Sequence, residues 1–239
     1  MDDLSSFFSE EPTVVNQLQE NTTSYSNKGS YGQSQYPKRK FFPKKEIDLD
    51  TFQLYKPISI IVNPDVPEDI IKRLIQLKDV LVDNKFNIRL TSGTKADEAL
   101  IAATKDIQPE IYLPWKDFNN IESKLYFNDK LSQHIAKQFH RSYDTLKPAI
   151  QAFLARNVRL VLGEKLKAYT LGVITWSEDG AEDITEVTFK TGNISHVISI
   201  AKALHIPVFN LQKPDAIKRL ISHFKLKQPV PNQTGGNSV

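Results

Sequence analysis

Between residues 57 and 224 the chain switches repeatedly between short apolar runs and apolar positions at helical spacing, the pattern of alternating strands and helices. Ile58-Ser59-Ile60-Ile61-Val62 is a β-branched run of the kind buried on both faces of a parallel sheet, and Asn63-Pro64-Asp65 breaks it. Pro67, Glu68 and Asp69 form a helix-start signature. Ile70, Ile71, Leu74, Ile75 and Leu81 then recur at helical spacing, which predicts a helix to about Asn84. The cycle repeats with a strand at Phe86 to Leu90, a loop at Thr91-Ser92-Gly93-Thr94 and an alanine-rich helix from Ala96 to Thr104. Glu110 to Leu113 reads as a third strand, followed by helices at Asp129 to His140 and Pro148 to Leu162. Leu171 to Trp176 is the next strand and Glu186 to Phe189 a strand-like patch. A helix from Ser195 to Leu204, a strand at Pro207 to Leu211 and a helix from Asp215 to Phe224 complete the pattern.

Parallel strands joined through helices of this length need crossover connections, so the expected fold is α/β, a Rossmann-like, doubly wound, mostly parallel sheet covered on both faces. The tails differ in kind. Asn21 to Pro37 consists largely of Asn, Thr, Ser, Tyr, Gly and Gln, too little apolar surface to offset ordering entropy. Gln228 to Val239 holds two prolines and Gly235-Gly236. The expected organisation is a flexible arm over residues 1–52, one domain over 53–227 and a disordered tail over 228–239.

Charge sharpens the picture of the arm. The net charge is only +3, but residues 1–25 carry five acidic side chains and no basic ones, whereas 26–46 carry six basic and one acidic. Lys38, Arg39, Lys40, Lys44 and Lys45 enclose Phe41 and Phe42, with Tyr25, Tyr31 and Tyr36 upstream. Cations that track phosphates and aromatics that stack on bases are the combination used on single strands without sequence preference. A plain solvated linker is the competing reading. The chain has no cysteine, which removes disulfides, thiolate chemistry and cysteine-type zinc sites together, and its five histidines lie too far apart to suggest a compact metal site. No apolar run approaches bilayer length and the N-terminus is acidic, so we expect a cytoplasmic protein without a membrane partner.

In an open parallel sheet, ligands gather beyond the carboxyl ends of the strands, where helix N-termini present free N–H groups to anions. The loops placed there are Asn63 to Asp65, Thr91 to Asp97, Pro114 to Asn119, Trp176 to Asp179 and Thr191 to Ser195. They collect most of the small polar residues of the domain.

The ordered set Thr91-Ser92-Gly93 with Ala96-Asp97, Glu110 to Asn119 (Glu-Ile-Tyr-Leu-Pro-Trp-Lys-Asp-Phe-Asn), Ala155-Arg156-Asn157-Val158, Thr175 to Gly180 and Ile206 to Leu211 resembles the DprA-like, SLOG class of phage proteins over roughly residues 57–214. That resemblance implies a Rossmann-like fold that binds nucleotides, nucleotide derivatives or single-stranded DNA. The chain departs from the class where Asn63-Pro64-Asp65 replaces a Gly-Ser-Arg turn, where Gly93-Thr94-Lys95 replaces a glycine pair, and where Thr191-Gly192-Asn193-Ile194-Ser195 replaces a Thr-Gly-Gly-Thr-Gly loop. Fewer glycines narrow the approach of backbone to a phosphate. The Pro-Gly-Gly-x-Gly-Thr-x-x-Glu motif of the related phosphoribohydrolases has no counterpart, so a non-enzyme is expected.

On this footing the candidate nucleotide or phosphate contacts are Ser92, Gly93, Asp97, Trp115, Asn119, Arg156, Asn157, Thr191 and Gly192. Arg156 and Asn157 stand at the end of a helix with apolar face Ala149, Ile150, Phe153, Leu154 and Val158; Arg156 could reach a phosphate bidentately or cap the helix carbonyls. Asp97 could accept from a ribose hydroxyl or simply cap its helix. Trp115 and Phe118 could stack on a base or close the core edge. Ser195 suits an N-cap, and His196 and His205 read as structural or surface residues.

The leading expectation is a non-enzymatic single-stranded DNA-binding protein acting in phage recombination, replication or transcription, with Lys95, Lys116 and Arg156 following the backbone. The alternatives are a sensor or sponge for a nucleotide derivative such as a cyclic ADP-ribose-like signal, and a protein-docking module with a decayed pocket. No cofactor is fixed by the sequence; a nucleotide or nucleotide derivative is the candidate. A protein partner on the arm and homo-oligomerisation complete the partners considered.

Overall fold

A computed structural model of the chain describes residues 56–227. The arm residues Lys38, Arg39, Lys40, Phe41, Phe42, Lys44 and Lys45 and the tail after Lys227 lie outside the described residues. The elements run β1 (Pro57–Val62), α1 (Glu68–Asp83), β2 (Asn87–Leu90), α2 (Lys95–Ala103), β3 (Glu110–Ile111), α3 (Lys130–Gln138), α4 (Pro148–Leu162), β4 (Val173–Trp176), α5 (Ile194–Ala203), β5 (Val208–Asn210) and α6 (Ala216–Phe224). The five strands form one sheet in the order β3-β2-β1-β4-β5, and every pairing is parallel. The fold is therefore α/β with a Rossmann-like sheet.

Strand alternation sends side chains to two separate cores. Ile58, Ile60 and Val62 of β1 join Ile88, Leu90, Ile174, Trp176 and Phe209 on the face covered by α1, α2 and α6. Ile61, Val173 and Val208 face the opposite way, into a second cluster with α3, α4 and α5. Both faces of β1 and β4 are buried, which explains why β1 reads as an unbroken apolar run. The polar exception in β1, Ser59, is fully buried and its Oγ donates to the Leu160 carbonyl of α4 at 2.9 Å.

Several boundaries differ from the sequence reading. β3 keeps only two ladder residues. Tyr112 N–H still donates to the Leu90 carbonyl at 2.9 Å, but Leu113 turns away to bridge Tyr126. The patch Glu186 to Phe189 is not a strand: Thr188 caps a 3-10 turn at Phe189–Thr191, so its hydroxyl and N–H groups bond within the loop rather than to a neighbouring strand. Ser195 is not the N-cap of α5. That position is Asn193, without a side-chain cap, and the Ser195 hydroxyl donates back to the Gly192 carbonyl at 2.7 Å.

The covering helices are latched by buried polar groups. Asp129 caps α3 and accepts from Arg159 of α4 at 2.9 Å, while Arg159 Nε donates to Ser132 Oγ at 2.6 Å. In α5, His196 is almost fully buried and its Nε2 lies 3.2 Å from the Ala136 carbonyl of α3. Burial pushes its pKa down to about 4, and His140 nearby adds to the effect. Burial also lowers the pKa of His140. Both Nδ1 atoms are buried without a hydrogen-bond partner.

Candidate functional site

The strand order turns back at β1, and beyond its carboxyl end a pocket opens between the loop after β2, helix α4 and the start of α5. Its floor is Ile61 and Val62. Its walls include Asn63, the loop Thr91–Thr94 with Asp97, Phe118, Phe153 and Arg156, and Asn193 with Ile194. The free volume is about 40 Å³, a space on the scale of a few water molecules or one tetrahedral oxyanion.

The loop after β2 is held by a cap that the spacing Thr94-x-x-Asp97 encodes. Thr94 Oγ1 accepts from the Asp97 N–H at 3.0 Å, and the Asp97 carboxylate accepts in return from the Thr94 N–H at 3.1 Å. Thr91 Oγ1 donates to the same carboxylate at 3.0 Å. Gly93, at φ 135°, supplies the turn between them, a conformation that side chains other than glycine rarely adopt. Burial pushes the Asp97 carboxyl pKa up, and the Arg156 charge with the Thr91 and Thr94 hydrogen bonds only partly restores it.

Arg156 lies within α4, a full turn before its end, and not at its C-terminus as the sequence reading placed it. Capping of the last carbonyls is therefore not its role. Its side chain turns into the pocket and is only 6% exposed. Its guanidinium carbon sits 5.5 Å from the Phe153 ring centroid, and neither Nε nor Nη1 has a hydrogen-bond partner. Burial lowers its pKa to about 10, against the opposing pull of Asp97, so it stays charged at neutral pH. A buried cation without hydrogen bonds costs several kcal/mol of desolvation, which the distant Asp97 charge and the Phe153 ring offset only in part.

The other sequence candidates divide into rim and interior. Asn119, in a left-handed conformation, points its amide at Ser92 Oγ at 3.4 Å and so borders the pocket. Trp115 does not line the wall; it is 39% exposed and packs edge-on against Phe118 at 4.8 Å and beside Phe153 at 5.7 Å, two rings that do. The ring contacts fit the reading in which Trp115 closes the core edge, and its other side is open to solvent. Asn157 is fully buried behind the wall with its amide unpartnered, and does not reach the pocket. Thr191 is likewise internal, donating to Asp179 at 2.5 Å. Gly192, at φ 55°, lets the chain pass beside Asn63, whose amide donates to the Lys190 and Thr191 carbonyls.

Asp179 is the anchor of that last loop. Burial raises its pKa, but hydroxyls of Thr188, Thr191 and Ser177 outweigh it and hold the carboxyl at about 2. The sequence reading placed Asn63, Thr91, Thr94, Asn193 and Ile194 in the crest loops without naming them as contacts, and it missed Phe153 as a wall residue. Thr94 could have been found from its capping spacing; Phe153, one turn before Arg156 on the same helix, could have been found from periodicity. Among the described residues no cluster of three or more acidic or histidine side chains is placed to hold a metal ion, and no helix is long and apolar enough to cross a membrane.

Comparison of the chain with protein-family models, with curated proteins and with solved structures finds no match.

Proposed function

We propose that this protein binds a phosphate-bearing nucleotide ligand in the crest pocket, with Arg156 as the phosphate-binding group, and that it does so without chemistry, as a binding protein of the DprA-like, SLOG class. The observation that carries the reading is the buried guanidinium with unpartnered Nε and Nη1 on the pocket wall. Such a group is costly in the free protein and is satisfied by a ligand that brings paired acceptor oxygens, which phosphate does. Helix α5 adds the positive end of its dipole through Asn193 and Ile194, with no side chain occupying its cap. The one carboxylate on the wall, Asp97, is already engaged by Thr91 and Thr94, which supports holding a ligand rather than abstracting its proton.

A second reading, single-stranded DNA, is favoured by the rim: Trp115 is open to solvent, and Lys95 and Lys116 flank the crest as exposed cations. Titration of the full chain with adenosine, AMP, ADP-ribose and oligothymidylate, repeated on Arg156→Met, tests both. Saturable binding of phosphorylated ligands that the variant loses is expected. Equal binding by the variant removes Arg156 from the site.

A further inference from the structure

The reading above leaves two ways for a phosphate to reach Arg156, as a link inside a strand or as a chain end, and the pocket distinguishes them. A phosphodiester carries two ester oxygens, and the chain must leave along both. It needs an open groove and offers only two free oxygens inward. A monoester leaves along one and presents three oxygens to surrounding donors.

The space at Arg156 is about 40 Å³ and is lined by residues of several separate elements. Ile61 and Val62 at the strand end, Phe118, Phe153, the loop Thr91–Thr94 and the first residues of α5 all line it. The lining comes from separate elements, which suits a tetrahedral end approached from several directions. The apolar floor offers nothing to a ribose hydroxyl, which places any sugar and base outside, toward the exposed Trp115.

Resting on the nucleotide-binding reading, we infer that the crest pocket is an end-recognition site specific for a terminal phosphate monoester, as carried by a nucleoside monophosphate or a 5′-phosphorylated strand. A space of this size suits a terminal phosphate better than a link whose chain must leave along two directions. Charge points the same way: the wall holds one guanidinium and one carboxylate, and a monoester is able to carry a proton on one oxygen toward Asp97 while the others accept from Arg156, which a diester cannot do.

The test uses the full chain and measures affinity for AMP, 3′,5′-cyclic AMP and adenosine, and for two oligothymidylates differing only in a 5′-phosphate or 5′-hydroxyl end. AMP should bind at least about tenfold tighter than the cyclic diester and adenosine, and the 5′-phosphorylated strand should exceed its hydroxyl counterpart by a similar factor, both preferences disappearing in Arg156→Met. Equal affinity within each pair overturns the monoester specificity while leaving nucleotide binding in place. If none of these ligands binds, both the specificity and the nucleotide-binding reading fall.

Discussion

The guanidinium of Arg156 and the carboxylate of Asp97 face the same buried pocket, yet no ion pair joins them. Asp97 accepts from Thr91 and Thr94, and Arg156 rests on Phe153. Each charge relieves the other from a distance, seen in the pKa of both, without satisfying the donors of the arginine. An arrangement built only for stability would have closed that gap.

Replacing Arg156 by methionine should therefore separate stability from binding. Substituting an apolar side chain of similar length for a poorly paired buried ion is commonly neutral or stabilising by about 1–4 kcal/mol, with the loss of relief at Asp97 set against it. The urea midpoint of Arg156→Met should be unchanged or raised while affinity for AMP falls about ten- to hundredfold. A loss of more than about 2 kcal/mol of stability would instead make Arg156 a structural ion.

The loop from Ser177 to Gly192 should depend on Asp179. Its carboxylate takes hydroxyl bonds from Ser177, Thr188 and Thr191, and Thr191 fixes the approach of Gly192 to Asn63 on the pocket wall. Asp179→Ala should cost about 1–3 kcal/mol of stability by chemical denaturation and weaken ligand binding by a smaller factor than Arg156→Met. Unchanged stability would show that water replaces these bonds.

The interface of α3 and α5 should fail in mild acid. His196, with its pKa near 4, is neutral in the folded chain at neutral pH but takes up a proton near its ordinary value of 6.5 when unfolded. Between those values the unfolded state binds more protons, so stability falls as pH falls, by up to about 1.4 kcal/mol per pH unit for this one histidine. His140, lowered by the same cause, steepens the upper part of that window. Urea midpoints measured from pH 7 to pH 4 should show the slope, and His196→Gln should flatten it. An equal slope in the variant assigns the effect elsewhere.

How much of this was legible in the sequence follows from which forces act locally. Pro148–Leu162 was read to the residue because proline at the first turn, apolar periodicity and Gly163 at the end are local signals. The parallel sheet followed from the alternation of buried runs such as Ile58 to Val62 with helical segments. The strand-like patch at Glu186 to Phe189 failed because Asp179, nine residues before Thr188, captures its N–H and hydroxyl, a contact that no local pattern announces. Ser92, Gly93, Asp97 and Arg156 line the pocket; the first three stand in or beside a strand-end loop that local polarity marks, whereas Arg156 is a candidate mostly through the family resemblance. Asn157 entered with Arg156 in the motif Ala155 to Val158, but on a helix the next residue points about 100° away.

The arm carries a separate prediction, since it places affinity in another part of the chain. Removing residues 1–46 should weaken binding to a labelled oligonucleotide at low salt while leaving AMP binding unchanged. Three to five phosphate contacts, a rough count from the six basic residues of 26–46, give a slope of about −2 to −4 in log affinity against log salt for single strands. Changing Phe41 and Phe42 to alanine should cost about 1–3 kcal/mol for each stacked base with little change in that slope. Equal binding by truncated and full-length chains would make the arm a linker or a protein-docking segment.

Binding of a phosphate monoester should be linked to proton uptake at Asp97. Burial already raises the pKa of this carboxyl, and a second anion in the same pocket raises it further, so the bound state holds a proton that the free state gives up as pH rises. Affinity for AMP should consequently fall with increasing pH. The phosphate itself contributes to that trend, because its second ionisation lies near pH 6 and the dianion is the poorer match to a pocket of one cation and one carboxylate. Asp97→Asn separates the contributions: it removes the negative charge but keeps an oxygen able to accept from the Thr94 N–H, at a stability cost of about 0.5–1 kcal/mol. At pH 8 the variant should bind AMP about ten- to hundredfold tighter than the wild type, the magnitude of one like charge removed at close range in a protein interior. Calorimetric titrations in two buffers of different ionisation enthalpy should show fewer protons taken up by the variant than by the wild type. If both proteins take up the same number of protons and share one pH profile, Asp97 serves only to cap its helix.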